Sequence, residues 1–384
     1  KKEESAAAEK EIAQLDEQAI ARIAQSAAED GITQIAVSGI FSQLNDAQEK
    51  RAGEIIRQAA PDIEVSLSSE LGRTGLIERE NAAIMNASLR PLAKKVASAF
   101  ADALRTLGLT CPYYVSQNDG TLMDAEQMRH YPVLTFAAGP TNSLRGAAWL
   151  TGIEDGIVVD VGGVRTNFRM PDVLSVGLGG GSRVRVTDAD LTIGPDSVGH
   201  RLLQEACVFG GEQLTASDLA VAGGWATFGT PSWLADLDPA VAARGAERIR
   251  QILATAIDKV KTRPEPVPMI LVGGGSVLVD KAPAGVSEMV RPEHAGVANA
   301  IGAAIGQVSG EVDRIFTIAT GEDRDVALAE ARSEAIAKAR DAGASDGSIE
   351  VTNLETFPLQ YLPGGATRVT CRAVGNLEIE ELAK

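Results

Sequence analysis

Gly156-Ile157-Val158-Val159-Asp160-Val161-Gly162-Gly163 is the stretch from which the fold is read. A short apolar run bounded by glycines predicts a buried strand, and this one carries a carboxylate near its end. An Asp inside an apolar strand is costly unless it has charged or hydrogen-bonded work to do. The glycine pair after it lets backbone N–H groups approach phosphate oxygens with no Cβ in the way, and Asp160 beside them can hold hydrated Mg²⁺. The device recurs. Leu174 to Leu178 predicts a second strand breaking into Gly179-Gly180-Gly181-Ser182, and Pro268 to Val272 a third running into Gly273-Gly274-Gly275-Ser276. One such turn is weak; three of them predict a nucleotide site. The competing reading is a strand-rich protein that uses glycine for tight corners.

Upstream, apolar residues recur at helical spacing from Asp16 to Asp30 and again over about Asn45 to Ala60, each followed by a strand, Ile32 to Val37 and Ile63 to Leu67. That alternation predicts an α/β layer. The longest helical stretch, 76–107, leads to the strand Tyr113-Tyr114-Val115 and the loop SQNDGTLM at 116–123. Asn118-Asp119-Gly120 can turn tightly while presenting two polar side chains at the sheet's carboxyl edge; a plain hairpin turn is the equal alternative. In GPTNSLRGAAWLTG at 139–152, the small residues Gly146, Ala147 and Ala148 suit a close helix crossing. Downstream, helices are expected at Ser197 to Phe209, Pro239 to Lys261 and Ala295 to Val308. The tail, a charged helix from Asp325 to Ala342 and strands at Ser348 to Val351 and Thr367 to Val374, reads as a small α+β unit.

The remaining signals exclude more than they assign. With 36 Lys and Arg against 52 Asp and Glu, the net charge of −16 repels phosphate backbones and anionic membranes, so no nucleic-acid partner is expected. No apolar run approaches the roughly 18 residues of a membrane span, and the charged, alanine-rich start lacks a signal peptide's apolar segment, which predicts a cytoplasmic protein. Cys111, Cys207 and Cys371 are scattered and read as buried small hydrophobes. His130, His200 and His294 show no metal-ligand spacing. A serine-hydrolase elbow, a Walker A loop and a complete G-x-G-x-x-G are all missing from the sequence.

SQNDGTLM at 116–123, AAGPTNSLRGAAWLTG at 137–152, IVVDVGG at 157–163, SVGLGGGS at 175–182 and LVGGGS at 271–276 resemble, in this order, the ATP-dependent subunit of hydantoinase/oxoprolinase enzymes. SSELGRTGLIERENAAIMNASL at 68–89 and YLPGGATRV at 361–369 also look like the hydantoinase-type branch. The resemblance implies an α/β actin-like ATPase fold, two ribonuclease H-like lobes clasping ATP and Mg²⁺. It implies a first lobe over 1–145, a second over 146–320 and the α+β unit over 321–384. On that template Asp160, Gly162 and Gly163 match the second phosphate loop and Gly273 to Ser276 the adenosine-side turn. Gly179 to Ser182 would line the cleft, and the helices near Gly146 and Ala298 to Gly306 would be the connecting helices at the hinge. Asp160 would organise Mg²⁺, while Asn118 and Asp119 would orient substrate or γ-phosphate. The implied reaction is phosphorylation of a cyclic amide for ring opening, alongside a larger hydantoinase B-type subunit. Relatives that carboxylate ketones such as acetone or acetophenone begin the same way, and a sugar-kinase-like transferase shares the lobes.

The sequence departs from the family pattern at one place. After Asp-x-Gly-Gly the pattern continues with hydroxyl residues and a second Asp, whereas this chain reads Val164-Arg165-Thr166-Asn167, and the opening Asp-x-Gly-Gly-Thr strand is missing. Three antiparallel strands of about five to six residues each do not fit between Gly163 and Pro171. Positions 163 and 164 are therefore not expected to be neighbours in an active enzyme. A continuous chain would have an incomplete first lobe, for which a noncatalytic nucleotide-binding module is the better reading.

Overall fold

The computed structural model describes residues 14–378 apart from 41, 43, 44, 72–74, 154, 161–173, 175, 188, 189 and 360–364. The chain forms two compact units, one of residues 1–117, 121–136 and 306–384, the other of 118–120 and 137–305.

The first unit opens with α1 (Glu17–Glu29), β1 (Gln34–Val37), α2 (Ala47–Ala59), β2 (Glu64–Leu67) and the long α3 (Leu76–Thr106). β1 and β2 pair in parallel, Gln34 opposite Glu64 and Val37 opposite Leu67. Asp16 begins α1 because its carboxylate accepts the Ala19 N–H at 2.9 Å, satisfying one of the orphan donors of the first turn. Ile56, Ile63, Val65 and Leu67 form the small core beneath α1 and α2. These elements match the sequence expectations to within two residues.

A second sheet in this unit has the strand order β11-β12-β10-β4-β3. It is built from β3 (Tyr114–Ser116), β4 (Leu122–Asp124), β10 (Val308–Thr317), β11 (Glu350–Pro358) and β12 (Ala366–Gly375). The tail is the expected α+β arrangement, but the β3–β4 hairpin joins its sheet and β10 lies where a helix running to Val308 was expected. The α-helical part of that segment ends at Ala304. The burial of Val308, Gly310 and Val312 at every second residue is the strand period that the preceding small-residue run disguises. Later in the tail, a helix at Gly321–Asp341 lays Ala327, Ala331, Ala335 and Ala339 on the sheet. It sits so close that a Cβ on Gly310 would stand 2.1 Å from the Ala335 carbonyl oxygen.

The second unit holds a three-stranded parallel sheet of order β5-β8-β9, from β5 (Ile157–Asp160), β8 (Val267–Val272) and β9 (Val286–Val290). Met269, Ile270, Leu271 and Val272 are almost wholly buried, as a strand covered on both faces requires. The unit's helices are α4 (Ala138–Thr151), α5 (Ala216–Ala222), α6 (Pro239–Val260) and α7 (Ala298–Ala304), with a hairpin of β6 (Ser182–Val186) and β7 (Leu191–Ser197). Leu219, Ile249, Leu253, Leu271 and Leu278 join hairpin, helices and sheet in one core. Two expectations fail here. Val176, Gly177 and Leu178 form no strand, the ladder starting only at Ser182, and the helix expected over Ser197 to Phe209 is broken into short turns at 199–201, 202–205 and 207–209. Cys371 is buried as expected, but Cys111 is exposed.

Candidate functional site

The parallel register of β5 and β8 places Asp160 opposite Val272, the last residue of β8. The strand end bearing Asp160 and the turn Gly273–Ser276 therefore lie side by side at the carboxyl edge of one sheet, where open α/β sheets bind ligands. The side chain of Asp160 lies outside the described residues, as do Gly162 and Gly163.

The turn after β8 is rigidly held. Gly273 has φ +76°, a conformation that side chains with a Cβ rarely adopt. Its N–H donates to the Ala295 carbonyl at 2.9 Å, and its carbonyl accepts the Ser276 N–H at 3.2 Å. Arg291 closes the turn from the other side, one guanidinium nitrogen donating to the carbonyls of Ser276 at 3.0 Å and Val279 at 2.8 Å. Gly274 begins a short 3₁₀ turn that includes Gly275, and a Cβ built on Gly274 would meet no atom within 4 Å. The turn thus offers glycine backbone beside open space, the shape that a nucleotide's close approach requires. Nothing in the sequence singled out Arg291, because its partners are carbonyl oxygens that no motif displays.

The second glycine run is organised differently. Gly179 N–H donates to Ser182 Oγ at 2.9 Å, and the carbonyls of Gly180 and Gly181 accept the Ser217 and Val198 N–H groups at 3.0 and 2.9 Å. A Cβ on Gly180 would fall 2.8 Å from Ser217 Oγ, and one on Gly181 2.8 Å from Ser197 Oγ. These two glycines are needed for packing; Gly179, with nothing within 4 Å of its Cβ position, is the open one. The run sits against the start of α5, which also adjoins the 3₁₀ turn after Gly273, so α5 links the two glycine segments. That start is fixed by the buried Asp218 carboxylate, which accepts from Val208 N–H and Thr215 N–H at 2.6 Å each and from Thr215 Oγ1 at 2.8 Å. Burial, and then the Asp218 charge, push the nearby Cys207 thiol above its usual range.

Asn118-Asp119-Gly120 is the tip of the β3–β4 hairpin, and these three residues belong to the compact unit that contains α4. Asn118 is buried; its Oδ1 accepts the Ala137 N–H at 2.8 Å and its carbonyl accepts Thr141 Oγ1 at 2.6 Å. Arg145 donates to the Gly120 carbonyl and, at 2.9 Å, to that of Ile305. The tip is thereby tied to the first two turns of α4, with Asp119 part-exposed beside it. The hairpin reading fits this arrangement, but Asn118 turns its side chain inward to Ala137, so of the two polar side chains expected at the tip only that of Asp119 is part-exposed.

No group of three or more His, Cys, Asp or Glu side chains among the described residues could hold a metal ion. No helix among them is long and apolar enough to cross a membrane.

Residues 79–166 and 160–260 match the family model described as hydantoinase/oxoprolinase, and residues 2–60 match its N-terminal region. The two longer segments overlap at 160–166, where the sequence departs from the family pattern. The chain is 27% identical over 243 residues to caprolactamase subunit alpha of Pseudomonas jessenii, covering 56% of this chain and 35% of that protein. It is 26% identical over 246 residues to acetophenone carboxylase gamma subunit of Aromatoleum aromaticum, covering 55% and 33%. The chain thus aligns with about a third of the length of these relatives. Among solved structures, the ATP-dependent caprolactamase of Pseudomonas jessenii superposes with a TM-score of 0.69 at 19% identity, over 96% of this chain and 68% of that one. Nucleotide-free acetone carboxylase superposes with 0.65 at 17% identity, over 95% and 68%. The fold is the mixed α/β architecture of these structures, consistent with the actin-like expectation.

Proposed function

This chain belongs to the hydantoinase/oxoprolinase family, and from that premise we propose that it is an ATP-dependent subunit that activates a cyclic amide by phosphorylation for ring opening. The observation that carries the reading is the register of Asp160 against Val272, which sets a carboxylate-bearing strand end beside the glycine turn 273–276. ATP, when bound, would supply the phosphoryl group: phosphorylation of the amide oxygen opens the carbon to attack by water, the ring nitrogen leaves with a proton, and hydrolysis of the remaining acyl phosphate releases phosphate.

In this proposal the chain's residues bind and orient. Backbone N–H groups of Gly162 and Gly163 stabilise phosphate charge, the 179–182 run lines the cleft at Gly179, Asp160 holds Mg²⁺, and Gly273 to Ser276 receive the adenosine side. The open Cβ direction at Gly274 fits that assignment. Asn118 acts by fixing the hairpin tip, and Asp119 orients substrate or γ-phosphate. A larger hydantoinase B-type subunit completes the reaction in a cytoplasmic hetero-oligomer. Substrate-dependent phosphate release tests this: Asp160→Asn is expected to abolish it, and undiminished release would remove Asp160 from the mechanism. Bicarbonate-dependent turnover would instead assign the chain to ketone carboxylation, the chemistry named for two of its relatives.

A second reading has its own support. The 384-residue sequence runs continuously through 163–164, and the family match is divided there. A noncatalytic module would bind ATP without substrate-stimulated turnover. Nucleotide affinity measured beside phosphate release separates the two.

A further inference from the structure

Asp119 is held through the backbone on both sides of it, and both holds come from α4. The Asn118 carbonyl accepts Thr141 Oγ1 at 2.6 Å, and the Gly120 carbonyl accepts an Arg145 guanidinium N–H. Thr141 and Arg145 are four residues apart, so they stand one above the other on a single helix face. The tip fits them closely. Gly120 has φ +82°, and a Cβ there would fall 2.8 Å from both Arg145 Cδ and Thr141 Cγ2.

Arg145 also reaches away from the tip. Another of its nitrogens donates at 2.9 Å to the carbonyl of Ile305, the residue that caps the C-terminal end of α7. Carbonyls at a helix end lack intrahelical partners and carry the negative end of its dipole, so a guanidinium is a fitting donor. The opposite end of the same element holds the turn after β8. A 3₁₀ turn, Ala295–Val297, runs directly into α7, and the Ala295 carbonyl takes the Gly273 N–H at 2.9 Å. One helical segment, about 15 Å long at 1.5 Å per residue, therefore meets the glycine turn at its start and Arg145 at its end. All of these residues lie in one compact unit. A tip that needed only fastening to α4 already has Thr141 and the bond from Ala137 N–H to Asn118 Oδ1; what Arg145 adds is the span to α7.

We propose that Arg145 is a positioning residue: by bridging the tip and the end of α7, it sets Asp119 at a fixed place relative to the nucleotide turn 273–276. The inference rests on the reading of Asp119 as the group that orients substrate or γ-phosphate. The effect of Arg145 passes through Asp119, and a displacement of about 1 Å in such an arrangement costs on the order of 100-fold in rate.

A double-mutant cycle tests this, with substrate-dependent phosphate release by the full chain measured on hydantoin, 5-oxoproline and larger lactams. Arg145→Ala is expected to lower kcat about 100-fold while the KM for ATP stays within about twofold of wild type. In an Asp119→Asn background the same substitution is expected to change kcat by less than about threefold, because the group it positions is already gone. A merely structural role would instead multiply the two losses. Arg145→Lys keeps the charge but spans two carbonyls poorly; it is expected to lose about tenfold, and it carries the same cycle where the alanine variant does not fold. Full turnover in Arg145→Ala, or losses that multiply in the double variant, would overturn the positioning role and leave the functional reading standing. A wild-type chain without substrate-dependent release, or full turnover in Asp119→Asn, would overturn the functional reading and this inference with it.

Discussion

A Cβ on Gly146 in α4 would stand 1.9 Å from the carbonyl oxygen of Ala298 in α7. The contact is reciprocal, since a Cβ on Gly302 would stand 1.8 Å from the carbonyl oxygen of Asn142. Each helix thus uses a glycine to admit the other's backbone. Asn299 fastens the crossing, its amide donating to the Gly139 carbonyl at 2.8 Å.

Gly146→Ala is expected to destabilise the protein by about 3 kcal/mol, the upper range for overpacking, because the obstructing atom is backbone and no rotamer relieves it. Gly302→Ala should cost a similar amount. The double variant should cost clearly less than the sum, since one intruding methyl already separates the helices for the other. Urea denaturation of the four proteins checks this, and strict additivity would mean that the two contacts are independent.

Glu49 sets a pH dependence in the first unit. Burial raises its carboxyl, but hydrogen bonds from Ser68, the Ser69 and Gly39 N–H groups and Ser42 outweigh that and hold it below the usual carboxylate range. The bonds are short: 2.6 Å from Gly39 N–H, 2.7 Å from Ser68 Oγ and 2.8 Å from Ser69 N–H. A folded-state value below the unfolded one contributes stability at neutral pH that is lost as pH falls from the ordinary Glu value through the folded one. Glu49→Gln should therefore be less stable than wild type by about 2 kcal/mol at pH 7, with the gap closing below about pH 4. Chemical denaturation across pH reads this out; a gap that widens in acid would reverse the assigned sign.

Much of the fold is legible because long helices and strands declare their period. α1, α2, α3 and α6 emerge from apolar spacing, and β8 from an uninterrupted apolar run before glycines. The failures have local causes. Val176 and Leu178 are apolar for packing against the core of the second unit, not for a ladder, and composition does not separate the two. The end of α7 is hidden because small residues continue into β10. At the site, sequence marks where glycine is required but not why. Gly180 and Gly181 admit neighbouring hydroxyl groups, whereas Gly179 and Gly274 face open space. Arg145 and Arg291 escape sequence reading because each binds carbonyl groups brought near only by folding, whereas Asp218 forms a local capping box with Thr215 and only its bond to Val208 depends on the fold.

Arg291→Ala removes two charge-assisted hydrogen bonds from the turn after β8. If that turn receives nucleotide, losing them should loosen it by about 1.5–3 kcal/mol, and roughly a tenfold loss of affinity is expected. Titration with a fluorescent ATP analogue measures it, and Arg291→Lys should recover only part of the loss because a compact ammonium spans two carbonyls poorly. Unchanged affinity in a properly folded Arg291→Ala protein would move the nucleotide site away from 273–276.

Asn118→Ala separates positioning from chemistry at the hairpin tip. Asn118 Oδ1 serves the Ala137 N–H at the start of α4, so its removal leaves a buried donor unsatisfied and should cost about 1–3 kcal/mol of stability. Asn118→Asp keeps the acceptor and should retain most of that stability. Asp119 is part-exposed, so Asp119→Asn should leave stability within about 0.5 kcal/mol of wild type. Its effect is expected in substrate-dependent phosphate release alone. Thermal melts and phosphate-release assays on the three variants distinguish the roles: loss of stability at 118 with loss of turnover at 119 supports the division proposed for the tip. Turnover retained in Asp119→Asn would reduce the tip to a structural fastening of α4.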